Sequence, residues 1–226
     1  MTTRIAIDGP SGAGKSTVGH ALARALGATF VDTGLMYRAL TLAALERGVS
    51  VDDGPALGRL AQAVRIEVEK PGPEHPHRLE TVRLDGRDVT DEVRTPRVDR
   101  AVSAVSRHPE VREAMVAVQR DAAKRGDTVM VGRDIGTVVL PDATLKVYLD
   151  ATPEVRAARR AIEMGAPERY AEYLAELLRR DEADSGREVA PLRQAEGALV
   201  LDTGALDVEE CVAAITARLA EPTDDA

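Results

Sequence analysis

The chain has 226 residues, a length that suits one or two domains, or one domain carrying an insertion. Hydrophobic residues make up 44% and charged residues 30%, the balance of a soluble protein with a core and not of a disordered one. The formal net charge of −8 speaks against a nucleic-acid-binding module or attachment to an anionic membrane, and no apolar stretch approaches the roughly 20 residues needed to span a bilayer.

Arg4 to Asp8 reads as a short buried strand, and Gly9 to Gly14 as a glycine-rich turn. A strand so near the start leaves no room for a secretory leader, and a cytoplasmic location is expected. Lys15 to Leu26 sets Val18, Ala21, Leu22 and Ala25 on one helical face, and Gly27 stops the helix. Thr29 to Val31 is a second strand. Asp32 or Thr33 then caps a helix over about Leu35 to Arg47, closed by Gly48.

From about Asp52 to Val98 the pattern changes. Ala56 to Val64 suits a short helix, whereas Val64 to Val68 and Leu79 to Leu84 alternate apolar and polar residues. Asp85-Gly86, set between Arg83-Leu84 and Arg87-Asp88-Val89, is a strong hairpin signal. This predicts a small antiparallel sheet inserted into an otherwise alternating chain.

Two helices follow, the second starting at Pro109 with the stripe Val111, Met115, Val118 and Ala122. Strands are expected over Thr128 to Val131, Leu145 to Leu149 and Ala198 to Leu201, with a helix opened by Thr152-Pro153-Glu154. Asp207 with Glu210 resembles a capping box before a last helix whose stripe holds Val208, Cys211, Val212, Ile215 and Leu219. Cys211 is the single cysteine, so no intrachain disulfide is possible, and its apolar position predicts burial. Strands alternating with helices predict an α/β protein with a parallel sheet covered on both faces.

Gly9-Pro10-Ser11-Gly12-Ala13-Gly14-Lys15-Ser16 matches G-x-x-x-x-G-K-[ST] at every fixed position. Such a loop turns successive backbone N–H groups toward phosphate oxygens, and the helix behind it adds its positive end. Lys15, one of only four lysines, would reach the β- and γ-phosphates, and the Ser16 hydroxyl would meet Mg²⁺. The cradle alone does not name a reaction. A guanine-reading Asn-Lys-x-Asp is impossible, because the chain contains no Asn. A motor ATPase usually ends an apolar strand in an acid, yet Thr128 to Val131 leads into Gly132-Arg133-Asp134.

Joining two phosphorylated molecules requires neutralisation, and arginine forks grip phosphate best. Candidate segments are Asp32 to Arg38, Gly132 to Thr137, the run Arg156, Arg159 and Arg160 at i, i+3, i+4, and Arg180 to Arg187.

Four motifs carry a resemblance: Asp-Gly-Pro-Ser-Gly-Ala-Gly-Lys-Ser from Asp8, Asp-Thr-Gly-x-x-Tyr-Arg from Asp32, Gly-Arg-Asp-Ile-Gly-Thr-Val-Val from Gly132, and Arg-Asp-x-x-Asp-Ser-x-Arg-x-x-x-Pro-Leu from Arg180. In this order they resemble the bacterial cytidylate kinases over almost the whole chain. The resemblance implies a P-loop NTPase fold with an adenylate-kinase-like five-stranded parallel sheet. It implies one domain, with a core of about 1–51 and 99–226, an inserted monophosphate-binding part of about 52–98 and a helical lid of about 156–190.

The resemblance also implies roles. Gly9 to Gly14 with Lys15, Ser16, Thr17, Arg156 and Arg160 would bind ATP, with Mg²⁺ at Ser16. Arg38 and Arg133 would hold the acceptor phosphate. Thr33 and Asp134, with Arg112 nearby, would read the base, and Tyr37 is a further CMP-binding candidate. Ser103, Arg180 and Asp184 would contact the sugar, and Arg187 would belong to the lid. Lys15, Arg133, Arg180 and Arg187 are the catalytic candidates. A monomer acting on ATP and CMP or dCMP, without nucleic acid or membrane, is expected. Val131 stands where relatives often carry an acid, which leaves support of Mg²⁺ from that point unaccounted for; Ala183 replaces an Arg of some relatives' lids. The competing readings are a P-loop kinase for another nucleotide or a sugar acid, and a nucleotide-binding regulatory module without catalysis.

Overall fold

The computed structural model describes residues 2–75, 77–186 and 189–221. In chain order the elements are β1 (Arg4–Asp8), α1 (Lys15–Leu26), β2 (Thr29–Asp32), α2 (Thr33–Glu46), α3 (Gly54–Ala63), β3 (Ile66–Glu69), β4 (Thr81–Leu84) and β5 (Arg87–Asp88). Then come α4 (Pro96–Ser106), α5 (Pro109–Ala122), β6 (Thr128–Gly132), β7 (Leu145–Asp150), α6 (Pro153–Glu163), α7 (Tyr170–Ser185), β8 (Leu199–Asp202) and α8 (Val208–Ala220). The chain divides into two compact units, one formed by residues up to Phe30 and from Gly126 onward, the other by Val31–Arg125.

The first unit is built on a five-stranded sheet of order β2-β6-β1-β7-β8. β1 pairs in parallel with β6 and β7, and β7 with β8. Alternation along the strands sends Ile5 and Ile7, Val129 and Val131, and Val147 and Leu149 to one face, where they meet Val18 and Leu22 of α1 and Cys211 and Ile215 of α8. Burying each such side chain contributes about 1.5–3 kcal/mol. Gly19 lets α1 lie close to the sheet: a Cβ there would sit 2.6 Å from Val131 Cγ1. The capping box holds, with Asp207 accepting from Glu210 N at 2.8 Å and Glu210 accepting from Asp207 N at 2.9 Å. Asp8 lies in register with Gly132 on one side and Tyr148 on the other. The chain therefore leaves β1 and β6 at the same edge of the sheet.

The second unit combines α2 to α5 with the antiparallel sheet β3-β4-β5. The turn joining β4 to β5 has positive φ at both Asp85 (51°) and Gly86 (84°), the backbone a two-residue hairpin requires. Leu79 is 42% exposed and lies before β4, so the alternating stretch in the sequence is longer than the strand it forms. α2 begins earlier than the apolar pattern suggests, at Thr33, because the Asp32 carboxylate accepts from Gly34 N and Leu35 N and caps it there. The antiparallel sheet expected over about 52–98 thus sits inside a larger compact unit that also takes α2, α4 and α5.

Candidate active site

Gly9 turns the chain out of β1 with φ of 151°, and a Cβ there would lie 2.0 Å from the Leu149 carbonyl oxygen. Gly14, with φ of 79°, is the N-cap of α1 and offers no side-chain hydrogen bond. With no acidic residue in its first turn, α1 presents its opening N–H groups to an incoming anion. Lys15 is buried, and its Nζ donates to the Pro10 carbonyl at 2.6 Å, which folds the side chain back across the loop. Ser16 is half-buried and Thr17 exposed at the start of the same helix.

The loop is braced from behind. Arg156 is 3% exposed and donates from Nε to Ala151 O at 2.9 Å, from Nη1 to Ser11 O at 2.9 Å, and from Nη2 to Asp181 Oδ2 at 2.6 Å. The three cations grouped by spacing on α6 therefore diverge. Arg156 underlies the loop, Arg159 donates to Thr203 Oγ1 at 3.0 Å, and Arg160 pairs with Glu163 at 3.0 Å on the surface. Thr203, just after β8, also donates to Ala13 O at 3.2 Å. Asp181 and Thr203 are supports that sequence spacing did not single out.

Next to this loop, β6 delivers Arg133 and Asp134. Arg133 Nε donates to Asp184 Oδ2 at 2.8 Å, and Asp184 is buried on α7. Asp134 is also buried. Arg180 lies one turn before Asp184 on α7. Arg187 lies outside the described residues. The buried Asp8 carboxylate accepts from Ile135 N and from Gly136 N, each at 2.7 Å. Burial pushes its pKa up to about 6, while those two amides pull it down; the neighbouring Asp134 raises it and Lys15 lowers it.

The second unit holds the remaining candidates. Thr33 and Tyr37 are buried one turn apart on α2, and the buried Arg112 guanidinium lies 5.8 Å from the Tyr37 ring centroid. Arg38 donates to Val93 O at 3.0 Å and forms an ion pair with Asp99. Ser103 is half-buried on α4, where its carbonyl accepts from Ser106 Oγ at 3.3 Å. Glu80, 4% exposed, is a buried acid that the sequence did not mark. Burial and the neighbouring Asp32 raise its carboxyl to about 7, against the opposing pull of Arg94.

Among the described residues no group of three or more His, Cys, Asp or Glu could hold a metal ion. The half-buried Ser16 hydroxyl at the start of α1 is a hard oxygen of the kind Mg²⁺ takes, and an ion held there would draw its other ligands from nucleotide phosphates and water. No helix of the described residues is long and apolar enough to cross a membrane.

A family model for cytidylate kinase matches residues 5–221. The chain belongs to the cytidylate kinase family. It is 45% identical over 224 residues to a cytidylate kinase of Carboxydothermus hydrogenoformans, covering 98% of this chain and 99% of that one. It is 48% identical over 221 residues to a cytidylate kinase of Exiguobacterium sibiricum, covering 96% of each. Among solved structures it resembles a shikimate kinase from Bacteroides thetaiotaomicron with a TM-score of 0.51 at 15% identity, over 97% of this chain and 99% of that one. That likeness shows the P-loop kinase fold alone. Family membership makes the protein a nucleoside monophosphate kinase and removes the non-catalytic reading.

Proposed function

We propose that the chain transfers the γ-phosphoryl group of ATP to the phosphate of CMP or dCMP, giving ADP and CDP or dCDP. The observation that carries this reading is the register of Asp8 with Gly132. It makes the phosphate loop and the Arg133-Asp134 turn leave adjacent strands at one edge of the sheet, where ligands of open parallel sheets bind.

The backbone amides at the start of α1 would receive the β- and γ-phosphates, with Lys15 swinging from Pro10 O onto them. Ser16 would hold Mg²⁺, which when bound neutralises phosphate charge. Arg133 would grip the acceptor phosphate in place of Asp184. An oxygen of that phosphate attacks the γ-phosphorus in line while the bond to the β–γ bridging oxygen breaks, so ADP leaves and no proton need move from a dianionic acceptor. Asp134 would accept from the exocyclic amino group of cytosine, a group that uracil replaces with a carbonyl. From the family resemblance, Arg180, Asp184 and Ser103 are assigned to the sugar, Arg38 to the phosphate, Thr33 with Arg112 nearby to the base, and Tyr37 to CMP binding; Arg187 is assigned to the lid. Arg156 and Arg160 are assigned to the ATP side, Arg156 acting through the loop it braces. The one cysteine, buried, suits a reducing cytoplasm.

An ADP-release assay with CMP, dCMP, UMP and AMP tests the reading. CMP and dCMP should support rates at least tenfold above UMP and AMP. Absence of CDP at high enzyme concentration would overturn it.

A further inference from the structure

Asp8 is the last residue of β1 and immediately precedes the phosphate loop. Its carboxylate is 2% exposed, and its two oxygens accept one N–H each, from Ile135 and Gly136. Those amides lie 127 and 128 residues away in sequence, in the turn that opens with Arg133 and Asp134. The turn has glycines at both ends, Gly132 and Gly136, and Asp134 makes no side-chain cap for the short helical turn Ile135–Val139 that follows. Little within the segment itself therefore fixes its direction. Beside the Arg133 bond to Asp184, the fixing comes from β1, through two charge-assisted bonds to an ionised acceptor, which are shorter and stronger than neutral ones.

We propose that Asp8 is a positioning residue for the phosphoryl acceptor: it ties the 133–136 turn to the root of the phosphate loop, so that Arg133 and Asp134 stand at a set distance from Lys15. This rests on the kinase reading above and adds a residue that touches neither substrate. Transfer in line is sensitive to misplacement of about 1 Å, so loosening the turn should be felt at the acceptor. The donor loop has independent braces in Arg156 and Thr203 and should feel it far less. Asparagine is the informative replacement, because its oxygen can serve one amide while its NH₂ group turns a donor toward the other.

The experiment uses the full chain with Asp8→Asn. Hydrogen exchange at the Ile135 and Gly136 amides reads the bonds without any turnover, and steady-state kinetics read KM for CMP, KM for ATP and kcat. Exchange at one or both amides should quicken at least tenfold. KM for CMP should rise at least tenfold, with KM for ATP within threefold of the parent. An unchanged KM for CMP despite faster exchange, or equal rises for CMP and ATP, overturns the proposal. Gly136→Ala provides a second route that alters no charge: its Cβ would lie 3.3 Å from Asp8 Oδ2, from Ala195 Cβ and from Lys146 Cγ, pressing the turn away from the carboxylate. It should give the same CMP-selective defect, and it decides the matter if Asp8→Asn does not fold. If the parent enzyme makes no CDP, the kinase reading fails, whereas unaltered exchange in Asp8→Asn strikes only the role given to Asp8.

Discussion

Arg133 Nε lies 2.8 Å from Asp184 Oδ2, with Asp184 almost wholly buried, so the arginine proposed to grip the acceptor phosphate is held on a carboxylate of α7. Removing the arginine strips a buried carboxylate of a charge-assisted partner. Arg133→Ala should cost about 1.5–3 kcal/mol of stability and raise KM for CMP at least tenfold. Arg133→Lys should recover part of the stability, since the charge survives, and little of the affinity, since the fork is lost. Chemical denaturation beside CMP kinetics checks both; equal KM values for the three proteins would remove Arg133 from the acceptor site.

Lys15→Ala takes away the mobile charge that rests on Pro10 O. Turnover should fall at least a hundredfold, about 3 kcal/mol of transition-state stabilisation. Rapid-quench measurement of ADP formation at saturating substrates reads this directly, and a loss of only a few fold would contradict the assignment.

Asp134→Asn should narrow the preference for CMP over UMP, because an amide can donate to the uracil carbonyl where a carboxylate repels it. Ratios of kcat/KM for the two acceptors measure the change. A preference that stays within twofold of the parent's would move base reading to other residues.

Gly9→Ala pits a methyl group against a carbonyl of β7: the added carbon would sit 2.0 Å from Leu149 O at a φ of 151°. Backbone on both sides must shift. A loss of about 3 kcal/mol, or a Tm lower by about 6–12 °C, is expected. Differential scanning calorimetry provides the check.

Glu80 carries a pH signature. Its carboxyl is raised from 4.5 to about 7, chiefly by burial, so the folded protein holds this proton more tightly than the unfolded chain does. The stabilising contribution is complete below about pH 4.5 and is lost as pH rises through about 7. Glu80→Gln cannot ionise and should escape that loss. The variant should be more stable than the parent at pH 8 by on the order of 1 kcal/mol, with the gap closing toward pH 5. Urea midpoints at the two pH values test this, and parallel curves would refute it.

Much of this was legible in the sequence because the information is local. The phosphate loop is eight consecutive residues whose spacing dictates their geometry, and the Asp85-Gly86 turn and the Asp207-Glu210 box are shorter still. What the sequence hid depends on distant contacts. Nothing near Asp8 signals that its partners are Ile135 and Gly136, since only the parallel pairing of β1 with β6 brings them together. Arg156, Arg159 and Arg160 share a helical face, yet long side chains leaving neighbouring positions reach different partners. Glu80 sits at the end of an alternating stretch that looks half-exposed, yet it is 4% exposed, with Asp32 and Arg94 as charged neighbours far from it or out of pattern in sequence.

Helix α7 sends Asp181 to Arg156, which underlies the phosphate loop, and three residues later sends Asp184 to Arg133. The two carboxylates lie three residues apart on α7 and so share one face of the helix. One turn of α7 thus serves as a common footing for the arginine under the phosphate loop and for the arginine of the neighbouring turn.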